Sequence, residues 1–158
     1  MTDPRIAALE VELSLLARHH LHSSQHSAER LLDRSGYHLL SRLELGPLNL
    51  KQLAEAFRLD PSTVNRQVNA LLRAGLLEKV RDPGGAVARV LRPTAGGLDL
   101  LRRDRAILQE QVGRVLTDWD PGEIDELRRL LEKLNTSIEA LEGRPWPRAS
   151  HASSAAAG

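Results

Sequence analysis

Apolar side chains recur along most of this chain at steps of three and four, the spacing that lines one face of a helix. Pro4 suits a first helical turn, and Ile6, Leu9, Leu13, Leu16 and His20 then form one stripe. Ser23-Ser24 either interrupts or polarises this helix, and a further helical stretch is expected to include Leu31 and Leu32. Gly36 separates it from a short apolar helix carrying Tyr37, Leu39, Leu40, Leu43 and Leu45, which stops before Gly46-Pro47. Asn49 with Gln52 three residues on reads as a capping box, and Leu53, Ala54 and Phe57 give the helix behind it a buried side. Arg58-Leu59 makes a tight turn. Asp60 then caps the next helix, Pro61 takes its first position, Val64, Val68, Leu71 and Leu72 face the core, and Gly75 ends it.

The period changes after Gly75. Residues 76–80 and 87–91 alternate in part and flank Asp82-Pro83-Gly84-Gly85, which predicts a two-stranded hairpin. Thr94 opens a long helix with the stripe Leu98, Leu101, Leu108, Val112, Val115 and Trp119. Asp120-Pro121 restarts the chain into a last helix, where Ile124, Leu127, Leu131, Leu134, Ile138 and Leu141 repeat at 3, 4, 3, 4, 3, a coiled-coil seam. Residues 143–158 are rich in Pro, Ser and Ala and read as a tail without fixed structure. The fold class is therefore mainly α with a small β-wing. Residues 1–35 and 98–142 supply outer helices, and 36–97 supply a compact winged helix-turn-helix.

Composition supports a helical reading. Apolar residues make up 41% of the 158 residues and aromatics only 3%. The net charge of +1 is unevenly placed. Between Arg58 and Arg92 seven basic side chains stand against three acidic ones, the footprint of a surface that faces an anion. The chain has no cysteine, which removes disulfides, thiol catalysis and thiolate metal ligands together. The start, Met1-Thr2-Asp3-Pro4, lacks a basic region followed by an apolar stretch, and no apolar run reaches the roughly 18 residues of a spanning helix. A soluble, cytoplasmic protein without a membrane partner is expected.

Two short helices joined by a tight turn and followed by a hairpin are the parts of a winged helix-turn-helix, in which the second helix offers its N-terminal end to the major groove of duplex DNA. The candidate base-reading set is Pro61, Ser62, Thr63, Asn65, Arg66, Gln67 and Asn69. Asn and Gln pair with adenine, Arg with guanine, and Ser or Thr with bases or phosphate. No acidic residue lies between Asp60 and Glu78, whereas an ordinary solvated helix face mixes Glu with Lys. Asn49, Lys51, Arg73, Arg81, Arg89 and Arg92 are the candidates for contacts to the DNA backbone. The outer apolar stripes either bury one another within the chain or form an intertwined homodimer; their lengths favour the dimer.

The run Gly46-Pro-Leu-Asn-Leu-Lys-Gln-Leu-Ala-Glu-Ala-Phe, then Leu59-Asp-Pro-Ser-Thr-Val-Asn-Arg-Gln-Val, then Leu71-Leu-Arg-Ala-Gly-Leu-Leu-Glu-Lys, resembles the MarR family of bacterial regulators. Arg81-Asp82-Pro83 at the wing and Thr94-Ala-Gly-Gly after it also match. This resemblance implies a homodimer built from the N- and C-terminal helices, bound to a pseudo-palindromic operator. It implies Ser62, Thr63, Asn65 and Arg66 at the groove and wing arginines at the minor groove or backbone. Family wings usually carry arginine near the tip, whereas this tip reads Gly84-Gly85-Ala86-Val87-Ala88. Arg89, with Arg81 and Arg92 nearby, is left for that role, so the expected wing contact is to the backbone.

A repressor relieved by a small ligand is the leading expectation, and two alternatives stand beside it. His19, His22 and His26 share a face at i, i+3 and i+7, with His38 as a fourth candidate, and imidazoles so spaced can hold zinc. The competing account of these histidines is a solvated polar face. No cofactor is otherwise required. The second alternative is a winged helix used only to bind protein. Catalysis gains no support: Gly84-Gly85 and Gly96-Gly97 are isolated pairs, and no nucleophile–base arrangement stands out.

Overall fold

The computed structural model describes residues 3–26, 30–82, 84–85 and 89–148, without the side chains of 20–26. In chain order it contains α1 (Pro4–His26), α2 (Arg34–Glu44), α3 (Leu50–Phe57), α4 (Pro61–Arg73), β1 (Leu77–Arg81), β2 (Arg89–Pro93), α5 (Ala95–Val115) and α6 (Pro121–Glu142). The core gathers Leu32, Leu39, Leu40, Leu43, Leu53, Ala54, Val64, Val68, Leu71, Leu77, Leu91 and Leu101 from segments spread along the chain. Full burial of a leucine or valine side chain stabilises by about 1.5–3 kcal/mol, so this lobe holds itself together around α2.

Local signals set most boundaries. The Asn49 side chain accepts from the Gln52 N–H and the Gln52 side-chain oxygen accepts from the Asn49 N–H, both at 2.9 Å, which completes the expected capping box. The Asp60 carboxylate accepts from the Ser62 N–H at 2.8 Å, with Pro61 in the first turn of α4. Thr94 caps α5 through Gly97 N–H at 3.0 Å, while its hydroxyl donates to the Gly75 carbonyl at 2.7 Å, tying the end of α4 to the start of α5. A Cβ at Gly97 would run into the Leu76 carbonyl, so the helix can approach that turn only through glycine.

Four expectations change. Leu31 and Leu32 are not helical, because Asp33 caps α2 and the two preceding N–H groups turn toward Asp104 instead. Gly36 lies inside α2 rather than between helices; its N–H meets the Asp33 carboxylate at 2.7 Å, and a Cβ there would crowd that oxygen. The strands run Leu77–Arg81 and Arg89–Pro93, shifted from the expected stretches, and a bridge between Leu48 and Leu91 adds a third edge. Finally, residues 143–148 of the tail do not run free. Gly143 takes the left-handed conformation (φ 65°) and sends Pro145-Trp146-Pro147 back onto α3. Residues 149–158 lie outside the described ones.

The outer helices behave differently from the lobe. Neither α1, over its described side chains, nor α6 buries a single one, and Ile6, Leu9, Val11, Leu16, Leu131, Ile138 and Leu141 are all exposed. One internal tie anchors the base of this assembly. Asp104 of α5 is fully buried and accepts from Arg30 Nε and Nη2, one edge of the guanidinium, at 2.6–3.0 Å, together with the Leu31 N–H at 2.7 Å. Burial pushes the Asp104 carboxyl up, but the hydrogen bonds from Arg30 and from the Leu31 and Leu32 N–H groups outweigh it and hold the group below the usual carboxylate range.

Candidate nucleic-acid interface

Val64, Val68 and Leu71 pin one side of α4 to the core, which fixes what the other side presents. At 100° per residue, Ser62, Arg66, Asn69 and Arg73 fall on the side opposite these anchors. Asn65 lies on the flank toward the wing, and its side-chain oxygen accepts from the Asn69 amide at 3.2 Å, so the two amides are oriented together. Thr63 and Gln67 fall on the other flank, toward α2 and α3. Gln67 lines a cleft of about 350 Å³ with Arg34, Ser35, His38, Leu39, Phe57 and Leu59. The expected base-reading set is thus split: Ser62, Asn65, Arg66 and Asn69 stand together, and Gln67 is turned away from them. Hydrogen bonds from Ser62 hold the Asp60 carboxyl below its usual range, so the cap stays ionised at the helix start.

The hairpin register decides which wing cations join this face. Arg81 pairs with Arg89, Lys79 with Leu91 and Leu77 with Pro93, and these pairs share one side of the ribbon. That side packs toward α4 through Leu77 and Leu91, both buried. Lys79 and Arg89 line a cleft of about 210 Å³ with Leu50, Asn65, Val68 and Leu91. Two arginines directly opposite each other repel, and a polyanion laid across the ribbon relieves that cost. Arg92 does not belong here: it is on the other side of the ribbon, where its Nε donates to Glu78 at 2.8 Å. Asn49, also a candidate for backbone contact, has its side chain engaged in the expected α3 cap, whereas Lys51 and Arg73 are exposed. Lys79 was not singled out by sequence; its i, i+2 spacing to Arg81 was the available signal.

This geometry meets known proteins at three points. The family model described as "MarR family" matches residues 32–84. The uncharacterized HTH-type transcriptional regulator YxaD of Bacillus subtilis (strain 168) is 34% identical over 136 residues, 84% of this chain and 94% of that protein. The chain belongs to the MarR family. Among solved structures, a MarR family protein from Bacillus stearothermophilus superposes with a TM-score of 0.76 at 24% identity, over 87% of this chain and 98% of that one. The PcaV transcriptional regulator from Streptomyces coelicolor, in complex with its natural ligand, gives 0.59 at 24% identity, over 88% and 99%. These two likenesses are of fold.

This MarR-family chain is a transcriptional regulator with a winged helix-turn-helix, the fold and role expected from the sequence. No helix among its described residues is long and apolar enough to cross a membrane. The histidine constellation is only partly in view. His19 is exposed on α1, and His38 sits on α2 with its ring 5.7 Å from that of Tyr37. The side chains of His22 and His26 lie outside the described residues. Among the described residues, no three metal-ligating side chains come together.

Proposed function

We propose that this regulator binds a pseudo-palindromic duplex site as a homodimer and represses transcription by occupying a promoter, with a small ligand weakening its hold on DNA. The observation that carries the DNA reading is the meeting of the acid-free face of α4 with Lys79, Arg81 and Arg89 on the facing side of the wing. Two terms then separate. Phosphate contacts from Lys51, Arg73, Lys79, Arg81 and Arg89 supply affinity and its salt dependence. Ser62, Asn65, Arg66 and Asn69 supply sequence preference.

Dimerisation is supported by the long apolar stripes of α1 and α6, which the chain leaves exposed. Two-fold symmetry would set half-sites about one helical turn, roughly 10 bp, apart. A cavity of about 300 Å³ between α6 and the α2–α3 corner offers room for a small effector. Its wall includes Arg42, whose Nε is buried without an acceptor among the described residues, a feature suited to an anionic ligand.

Gel shifts against genomic fragments across a salt series test the reading. Arg66→Ala should cost about 1–3 kcal/mol on a selected site and little on random duplex. Arg81→Ala should weaken both alike. Equal losses on both duplexes for Arg66→Ala would remove its base-reading role, and binding that ignores salt would overturn the DNA interface itself.

A further inference from the structure

The tail segment after α6 makes more contacts with the reading lobe than a chain end needs. The Trp146 ring meets Phe57 of α3 edge-on, with centroids 5.3 Å apart, and lies under the Arg42 guanidinium at 5.8 Å. Arg144 donates to the Glu55 carbonyl at 2.9 Å, near the C-terminal end of α3. Arg148 doubles back along α6 to grip Glu139 at 2.6 and 3.0 Å. Arg58, just past α3, reaches Glu142 at 2.8 Å. Arg58 holds the left-handed conformation (φ 52°), a position glycine normally takes. The chain places there a side chain able to reach α6.

We infer that residues 143–148 form a strap fixing the angle between α6 and the helix-turn-helix, so that Trp146 and the Arg58–Glu142 pair set which half-site spacing the dimer accepts. This rests on the dimeric reading above. The physical argument is one of leverage. With its 22 residues, α6 is about 33 Å long, and none of its side chains is buried in the lobe. A swing of about 10° over that length displaces one end by about 6 Å, more than the roughly 3.4 Å rise of one base pair. If α6 carries the partner subunit, slack at the strap becomes slack between the two recognition helices. The strap joins α6 to α3, the helix that braces α4, so it acts at the step where that slack would be transmitted. Its residues touch no base: they are positioning residues.

Selection from a random-sequence duplex library, with the full-length protein and sequencing of the bound pool, tests this and needs no operator in hand. Wild-type protein should recover two half-sites at one spacing. Trp146→Ala should recover the same half-site sequence with spacings spread by one or two base pairs, its preference for the best spacing reduced about tenfold. Trp146→Phe keeps a ring against Phe57 and should restore the narrow distribution. Glu142→Gln removes only an exposed ion pair, so it should fold normally and still broaden the spacing, which covers the case of an unstable Trp146→Ala. A wild-type spacing profile in Trp146→Ala or, if that variant does not fold, in Glu142→Gln would overturn the strap, as would loss of the half-site sequence itself, which marks a folding role. Wild-type protein that sediments as a monomer, or that accepts every spacing, would overturn the dimeric reading and the strap with it.

Discussion

Asp104 shows how one residue can join parts of the fold that sequence keeps apart. It lies 74 positions from Arg30, yet its carboxylate is the common acceptor for that guanidinium and for the N–H groups leading into α2. Removing one partner of a buried pair leaves the other uncompensated, so Arg30→Ala should lower stability by about 3 kcal/mol, read from the urea midpoint at fixed protein concentration. The pair also predicts a pH response. Because the folded carboxyl lies below its unfolded value, its contribution is complete above about pH 4 and fades as pH falls through the lower, folded value. Asp104→Asn should flatten that acid limb; an unchanged limb would assign the acid loss to other carboxylates. The position was visible in sequence as an acid in the Leu101–Leu108 stripe, but nothing local named its partner.

At the scale of elements, the caps were legible and the hairpin register was not. Asn49, Asp60 and Thr94 each bond an N–H two or three residues ahead, so sequence alone carries the relation. Which side of the wing a cation occupies depends on a pairing set across the turn, and one residue of slip reverses every side chain. The register puts Lys79 and Arg89 on the face toward α4 and Arg92 on the other with Glu78. Lys79→Ala and Arg89→Ala should therefore each lower the slope of log affinity against log salt by about 1, with Arg92→Ala close to neutral. A full unit lost in Arg92→Ala would place the DNA on the opposite side of the ribbon.

At the scale of the whole molecule, α1 and α6 call for a covering partner. Their stripes have the period of packed helices, yet the chain folds without burying them, leaving Leu141 90% and Ile6 55% exposed. Surfaces of this kind are the ordinary mark of a protein interface. Leu9→Glu, on an exposed side chain outside the core cluster, should leave the winged lobe folded while weakening self-association at least tenfold in sedimentation. Binding to a two-half-site duplex should fall with it. A dimer unaffected by Leu9→Glu would move the interface off this face of α1.

The sequence by itself determined what short-range chemistry determines: the helical period, the caps at Asn49, Asp60 and Thr94, the helix-turn-helix with its polar, acid-free second helix, and the existence of a wing. Those relations span a few residues, so the local chain states them in full. Tertiary structure decided what depends on distant partners. It turned Gln67 away from Asn65, withdrew Arg92 to Glu78 and brought Lys79 beside Arg89. It also seated Trp146 against Phe57, 89 positions earlier, in a tail whose composition suggested no structure. The physical reason is the same in each case: a side chain's neighbours across a sheet or between helices are fixed by packing of the whole chain, and no spacing along the sequence encodes them.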